Sequence, residues 1–159
     1  MFEAILAALV ARHIRFVLIG GVAATVHGSA RFTNDLDICY DAAPDNIERL
    51  LSLLGEWNAY LRGVEIGLPF LLDARTFRTT PLLTLTSAMG AIDLLDQVPG
   101  VGDYRAAHAN SEVVQIGEVE FRTLTLEALI ASKKAIRRKK DVEHLIELEA
   151  ILAMRREGR

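Results

Sequence analysis

A mixed α/β (α+β) domain is predicted, with one mixed β-sheet flanked by helices and further helices at the C-terminus. Three observations predict it. Apolar positions recur at helical spacing in segments that alternate with short strand-like runs. Those runs, FVLI (16–19), DLDICY (35–40) and AIDLLD (91–96), are short, apolar-rich and met by turn residues. The order along the chain is helix, strand, helix, strand, helix, strands, helices, which packs as a sheet with helices against it.

Residues 2–13 place Phe2, Ile5, Leu6, Leu9 and Val10 at helical spacing. Phe16–Ile19 reads as a buried strand ended by the turn residues Gly20-Gly21. Residues 22–27, VAATVH, fit a short helix that starts just after the glycines and ends at Gly28. SARFTN is a polar loop, and 35–40 is the next strand. Pro44 and Asp45 supply helix-start chemistry ahead of apolar residues 47, 50, 51 and 54, so a helix is expected to about Leu54, stopping at Gly55. Residues 56–81 show no clear period, and FLLDARTF within them fits a strand or a helical turn. LLTLTS (82–87) and AIDLLD (91–96) read as strands around Met89-Gly90, QVPGVGDY as a loop, and 103–110 as a short helix. EVVQIGEVEFRTL (112–124) reads as a hairpin turning at Gly117. Thr125 is placed to cap the helix opened by TLEALIASKKAI, and a last helix is expected over about 140–155. One domain over 1–159 is expected, its C-terminal helical part covering about 125–156.

Composition bounds the function. The 159 residues are 51% hydrophobic and 25% charged, an ordinary globular balance with enough chain for a core. A net charge of −3 gives no global electrostatic argument for nucleic acid. The single cysteine, Cys39, cannot form an intrachain disulfide, which fits a reducing compartment. The apolar N-terminus carries Glu3, Arg12, His13 and Arg15 and lacks a basic stretch ahead of its apolar part, so it does not read as a signal peptide. No uninterrupted apolar run reaches the roughly 18 residues of a membrane span. A cytoplasmic location without membrane attachment is expected.

The chemistry concentrates in VLIGGVAATVHGSARFTNDLDICYD (17–41). In a strand, residues two apart face the same side, roughly 7 Å from one another. Asp35 and Asp37 therefore project together, with Cys39 on their face, while Leu36, Ile38 and Tyr40 point into the core. Two carboxylates on one face repel unless neutralised, which points to a divalent cation held by hard oxygens. Asp93 supplies a third carboxylate from a second predicted strand. Asp96, three residues on, falls on the opposite face, and Asp93 is preferred because it sits within the run between Ile92 and Leu94. Three carboxylates from neighbouring strands suit a two-metal centre for in-line nucleotidyl or phosphoryl displacement. Gly20-Gly21, between a strand and a helix, lets a phosphate approach the backbone.

Several of these residues have a plainer reading. Two Asp can simply solvate a strand end. His27 at a helix end fits a satisfied structural histidine better than a ligand. Arg31 fits a phosphate guide and a carboxylate partner equally well. Cys39 fits a small buried thiol. KKAIRRKK (133–140) holds six basic residues and fits a solvated helix face as well as a patch for triphosphate or RNA, although it lacks interleaved aromatics for base stacking.

IGGVAATVHGSARFTNDLDI resembles the start of a nucleotidyltransferase-superfamily domain, the fold shared with polymerase beta and the minimal nucleotidyltransferases. Ile19, Gly20, Gly21, the short helix 22–28 and Asp35-Leu36-Asp37 match that pattern in order, and Asp93 matches its later third carboxylate. Arg31, Thr33, Asp35 and Asp37 resemble the segment of a subgroup that includes the abortive-infection-type nucleotidyltransferase toxins. LIASKKAIRRKKDVEHL resembles that subgroup's late motif through Lys133, Arg138 and Asp141. One departure is Gly21, where Ser is common. It keeps a backbone N–H for a phosphate and loses a hydroxyl.

The resemblance implies the nucleotidyltransferase fold and a metal-dependent transfer of a nucleoside monophosphate from an NTP to an acceptor, with release of pyrophosphate. It implies Asp35, Asp37 and Asp93 as ligands of Mg²⁺ or Mn²⁺, with Asp93 also orienting the acceptor. Nucleotide binding falls to Gly20, Gly21, Arg31, Thr33, Lys133, Arg138 and Asp141, with Asp141 orienting Lys133 or Arg138. ATP is one candidate NTP. The acceptor is RNA, a protein side chain or a small molecule, and the residues do not separate these. The toxin half of a toxin–antitoxin pair is implied, and a second copy of the chain or a cognate antitoxin would supply the surface that so short a chain lacks. Two rival readings stand beside it: a non-catalytic nucleotide-binding or protein-interaction module that keeps the fold, and a phosphate-transfer or hydrolase enzyme on the same two-metal logic.

Overall fold

The computed structural model describes residues 2–65, 72–136 and 139–158. Its centre is a seven-stranded mixed sheet. Helix α1 (Phe2–Ala11) leads into β1 (Phe16–Ile19), α2 (Gly20–Val26) and β2 (Asp35–Tyr40). Helix α3 (Pro44–Glu56), strand β3 (Tyr60–Leu61) and helix α4 (Ala74–Thr79) follow, then β4 (Leu82–Thr86) and β5 (Ala91–Leu95). A two-stranded ribbon, β6 (Gln97–Val98) with β7 (Gly102–Asp103), precedes α5 (Tyr104–Ala109). Strands β8 (Ser111–Ile116) and β9 (Val119–Leu124) and helices α6 (Leu126–Ile136) and α7 (Lys139–Glu157) complete the chain.

The large sheet runs β3-β4-β5-β2-β1-β9-β8. β2 is parallel to β5 and antiparallel to β1, and β1 is parallel to β9. This places β2, the strand bearing Asp35 and Asp37, near the middle of the sheet. Alternation decides what each face carries. Leu36, Ile38 and Tyr40 are fully buried on one face of β2, while Asp35 and Asp37 are only partly covered on the other. Leu50, Leu53 and Leu54 of α3 and Ile5, Leu6 and Leu9 of α1 belong to the main apolar core with them. A smaller apolar cluster, Ala24, Leu126, Ile130 and Leu148, ties α2 and α6 to α7.

Several expected boundaries move, for identifiable reasons. α1 stops at Ala11 because His13 takes a left-handed φ of 56°, letting Ile14 N–H donate to the Leu9 carbonyl and His13 N–H to that of Val10. α3 does not stop at Gly55. It runs to Glu56, and Asn58 at φ 51° closes it, with Ala59 N–H on the Leu54 carbonyl. Helix α2 starts at Gly20 rather than after the glycine pair. QVPGVGDY is not simply a loop, because it contains the β6–β7 ribbon. Within FLLDARTF, the described part turns helical at Ala74 because Asp73 caps it: the Asp73 carboxylate accepts from Thr76 N–H, and Thr76 Oγ1 accepts from Asp73 N–H. The hairpin turns at Gly117 (φ 59°), and Thr125 caps α6 by accepting from Ala128 N–H, both as expected. Among the described residues, no helix is long and apolar enough to cross a membrane.

Candidate active site

Parallel pairing of β2 with β5 places Asp37 directly opposite Asp93 and Asp35 opposite Ala91. The carboxylates of Asp35, Asp37 and Asp93 thus gather on one sheet face. Asp96 does not join them. It lines a separate cavity of about 480 Å³ with Tyr40, Asp41 and Tyr104.

Asp37 is half-buried. Its Oδ1 is buried without a hydrogen-bond partner. Burial, together with the neighbouring charges of Asp93 and Asp35, pushes its carboxyl up to about 8, and the nearby Lys133 ammonium partly opposes that shift. Gly20 makes this enclosure possible. Its φ is +70°, and a β-carbon there would lie 2.0 Å from Asp37 Oδ2. Only hydrogen fits between the turn and the carboxylate. At Gly21 a β-carbon would meet Thr33 Oγ1 at 2.8 Å, and Thr33 Oγ1 itself donates to the Asp35 carbonyl. The glycine pair and the strand start are therefore packed onto one another through Thr33.

The first unexpected residue is Arg62, just beyond β3. Its backbone N–H donates to the Thr84 carbonyl, holding it at the sheet edge. Its guanidinium reaches over β4: one nitrogen donates to both the Leu85 carbonyl and Asp93 Oδ1, each at 2.7 Å, and the other lies 3.6 Å from Asp35 Oδ2. No periodicity could have revealed it, because a two-residue strand has none.

Helix α6 lines the cleft through Leu129, Ser132, Lys133 and Ile136. Lys133 borders two adjoining hollows, one of about 300 Å³ shared with Gly20, Asp37 and Asp93, the other of about 180 Å³ shared with Gly21, Arg31 and Thr33. Lys133 Nζ on α6 donates to Asp141 Oδ1 on α7 at 2.9 Å. Asp141 is buried, 5% exposed. Arg31 is exposed at the cleft mouth, its backbone N–H donating to Ser29 Oγ. Arg138 lies outside the described residues. The same holds for Arg137 beside it in the basic run.

Helix α7 is pinned to the loop before β2. Glu147 accepts from Ser29 Oγ at 2.5 Å and from Ala30 N–H at 3.1 Å, and these bonds draw its carboxyl below the usual range. Buried His144 lies 3.5 Å from Ser29 Oγ, and burial pushes its imidazole down. His27 is buried with Nε2 on the Leu124 carbonyl at 2.7 Å and Nδ1 on Arg155 at 3.1 Å, so both ring nitrogens are spent on structure. Cys39, on the same face as the Asp pair, is fully buried, and burial pushes its thiol up to about 12. It stays a thiol and packs as an apolar group.

The donor chemistry fits a hard divalent cation. The site offers carboxylate oxygens, one of them buried without a partner, beside a glycine turn with no β-carbon to obstruct it. As the side chains stand, however, no three His, Cys, Asp or Glu groups among the described residues converge closely enough to hold a metal. The guanidinium of Arg62 occupies the position beside Asp35 and Asp93.

A family model described as nucleotidyl transferase AbiEii toxin, type IV TA system, matches residues 4–141. No curated protein matches the chain.

Proposed function

The chain belongs to the AbiEii family of nucleotidyltransferase toxins of type IV toxin–antitoxin systems, and from that premise we propose that it moves a nucleoside monophosphate from an NTP to an acceptor in a reaction dependent on Mg²⁺ or Mn²⁺. The observation that carries this reading is the pairing of Asp37 with Asp93 across β2 and β5, beside a glycine turn too close for any β-carbon.

In this reading Asp35, Asp37 and Asp93 hold the metal. A divalent cation bound there supplies positive charge for the triphosphate and for the attacking oxygen. The backbone at Gly20 and Gly21 gives the phosphates close approach, since no side chain stands in the way. Lys133, shared by both hollows, neutralises triphosphate charge, and Asp141 fixes the ammonium in place. Thr33 and Arg31 frame the mouth on the Gly21 side, and Arg138 is retained as a further nucleotide-binding residue. An acceptor oxygen or nitrogen attacks the α-phosphorus as the bond to the bridging oxygen breaks, and pyrophosphate leaves with that electron pair. A cognate antitoxin is the partner this reading expects, and RNA remains one of three acceptor classes.

The test is transfer of label from each α-labelled NTP, with Mg²⁺ or Mn²⁺, to a pool of small RNAs, proteins and small molecules. Asp35→Asn and Asp37→Asn should each abolish transfer in a folded protein. Full transfer by the double variant would overturn the site assignment.

A further inference from the structure

The metal reading leaves Arg62 unexplained. Its guanidinium has five N–H donors, and the arrangement does not satisfy them all: Nε is buried with no partner. A guanidinium kept as a permanent structural brace would use its fork fully, as bidentate pairs do. Here it spreads between Asp93 at 2.7 Å and Asp35 at 3.6 Å, and takes the Leu85 carbonyl as a third contact. Asp37 is left out, and its Oδ1 is the carboxylate oxygen of the trio that is buried without a partner. One positive charge thus covers two of three gathered carboxylates.

We infer that Arg62 is an internal counter-ion that a divalent cation displaces from Asp35 and Asp93, so that Arg62 sets the metal affinity of the site. This rests on the reading of the trio as a metal centre. A cation bound to Asp93 Oδ1 and Asp35 Oδ2 would stand where the guanidinium now lies, so loading those oxygens requires it to withdraw. Metal affinity is then lowered by the fraction of time that Arg62 is in place. Arg62 is held to the sheet edge by its backbone bond to Thr84, so withdrawal needs a side-chain rotation and leaves the strand pairing intact. Arg62 acts through Asp93 and Asp35 and is a positioning residue, with no contact of its own to the reacting atoms required.

The experiment is a titration of the full chain with Mn²⁺ alone, free ion followed by electron paramagnetic resonance, alongside thermal unfolding with and without Mn²⁺. Arg62→Met keeps the length of the side chain and removes its charge. It should bind Mn²⁺ about ten-fold more tightly than wild type, as expected when a competing state populated at roughly nine-tenths is removed. Its metal-free form should melt lower, and its gain in Tm on adding Mn²⁺ should exceed that of wild type. In an Asp93→Asn background Arg62→Met should lower the metal-free Tm by less than it does in wild type, because its main partner is gone. Arg62→Lys, with a compact charge that cannot bridge two carboxylates, should fall between wild type and Met, and it carries the test if the Met variant does not fold. Mn²⁺ binding by wild type that is not tightened by either substitution overturns the inference and leaves the metal centre standing. Absence of Mn²⁺ binding in wild type and both variants overturns the metal centre, and the inference with it.

Discussion

Asp37 and Asp93 stand directly opposite one another on parallel neighbouring strands, two carboxylates in register on one face of a central sheet position. Strand packing does not favour this: burial beside Asp93 and Asp35 keeps the Asp37 carboxyl protonated at neutral pH, and ionising it costs desolvation and repulsion. The arrangement makes sense as a place where positive charge is received.

The first prediction follows from the Asp37 carboxyl, which sits at about 8 instead of its ordinary 3.8 because it is buried beside Asp93 and Asp35. Between these values the native state holds a proton that the unfolded chain has lost. Stability of the metal-free protein is therefore greatest on the acid side of this window and falls as pH rises towards 8. Chemical denaturation from pH 5 to 8 should show this decline, and Asp37→Asn should flatten it. Mn²⁺ binding at pH 7 should release protons, measurable as a buffer-dependent binding enthalpy.

Gly20→Ala should be severe. The new methyl meets Asp37 Oδ2 at 2.0 Å, and φ of +70° already disfavours it. A loss of about 2–3 kcal/mol is expected from strain and displacement of the carboxylate, with loss of metal binding. Gly55→Ala is the contrast: it lies inside α3 with nothing within 4 Å of the added carbon, and should stabilise by about 0.5–1 kcal/mol. Urea unfolding of the two variants checks both signs.

Much of this was legible in the sequence. The strand 35–40, the hairpin at Gly117, the Thr125 cap and the choice of Asp93 over Asp96 all follow from period-two alternation or from residues with one strong local preference. The misread helix ends share a cause. His13 and Asn58 take the left-handed position for which glycine is the usual signal, so Gly55 looked like a stop and was not. Arg62 and Glu147 were invisible for a different reason. Each acts across a long sequence separation, Arg62 on Asp93 and Glu147 on Ser29, and such contacts leave no local pattern.

Glu147→Ala should loosen the loop that carries Arg31 and Thr33. It removes the acceptor of Ser29 Oγ and of Ala30 N–H, the two bonds that tie α7 to this loop. Faster amide exchange over residues 29–33, with α1 and α3 unchanged, is the expected readout.

Lys133→Ala strips buried Asp141 of its ammonium partner, and breaking such a pair costs about 3 kcal/mol. It should also weaken NTP binding. Lys134, exposed and paired with Glu149 at 3.1 Å, is the control: Lys134→Ala should change stability by less than about 1 kcal/mol. Equal losses of NTP affinity in the two variants would reduce this helix to a generic basic surface.

The most direct measurement of the central claim is transfer of α-³²P label from an NTP, with Mn²⁺, by wild type and by Asp37→Asn in parallel. Wild type should give a discrete labelled species and the variant none, while the variant remains folded and lacks Mn²⁺ binding. Label transfer that survives in Asp37→Asn would contradict it, because the chemistry would then not depend on the carboxylate that β2 and β5 enclose.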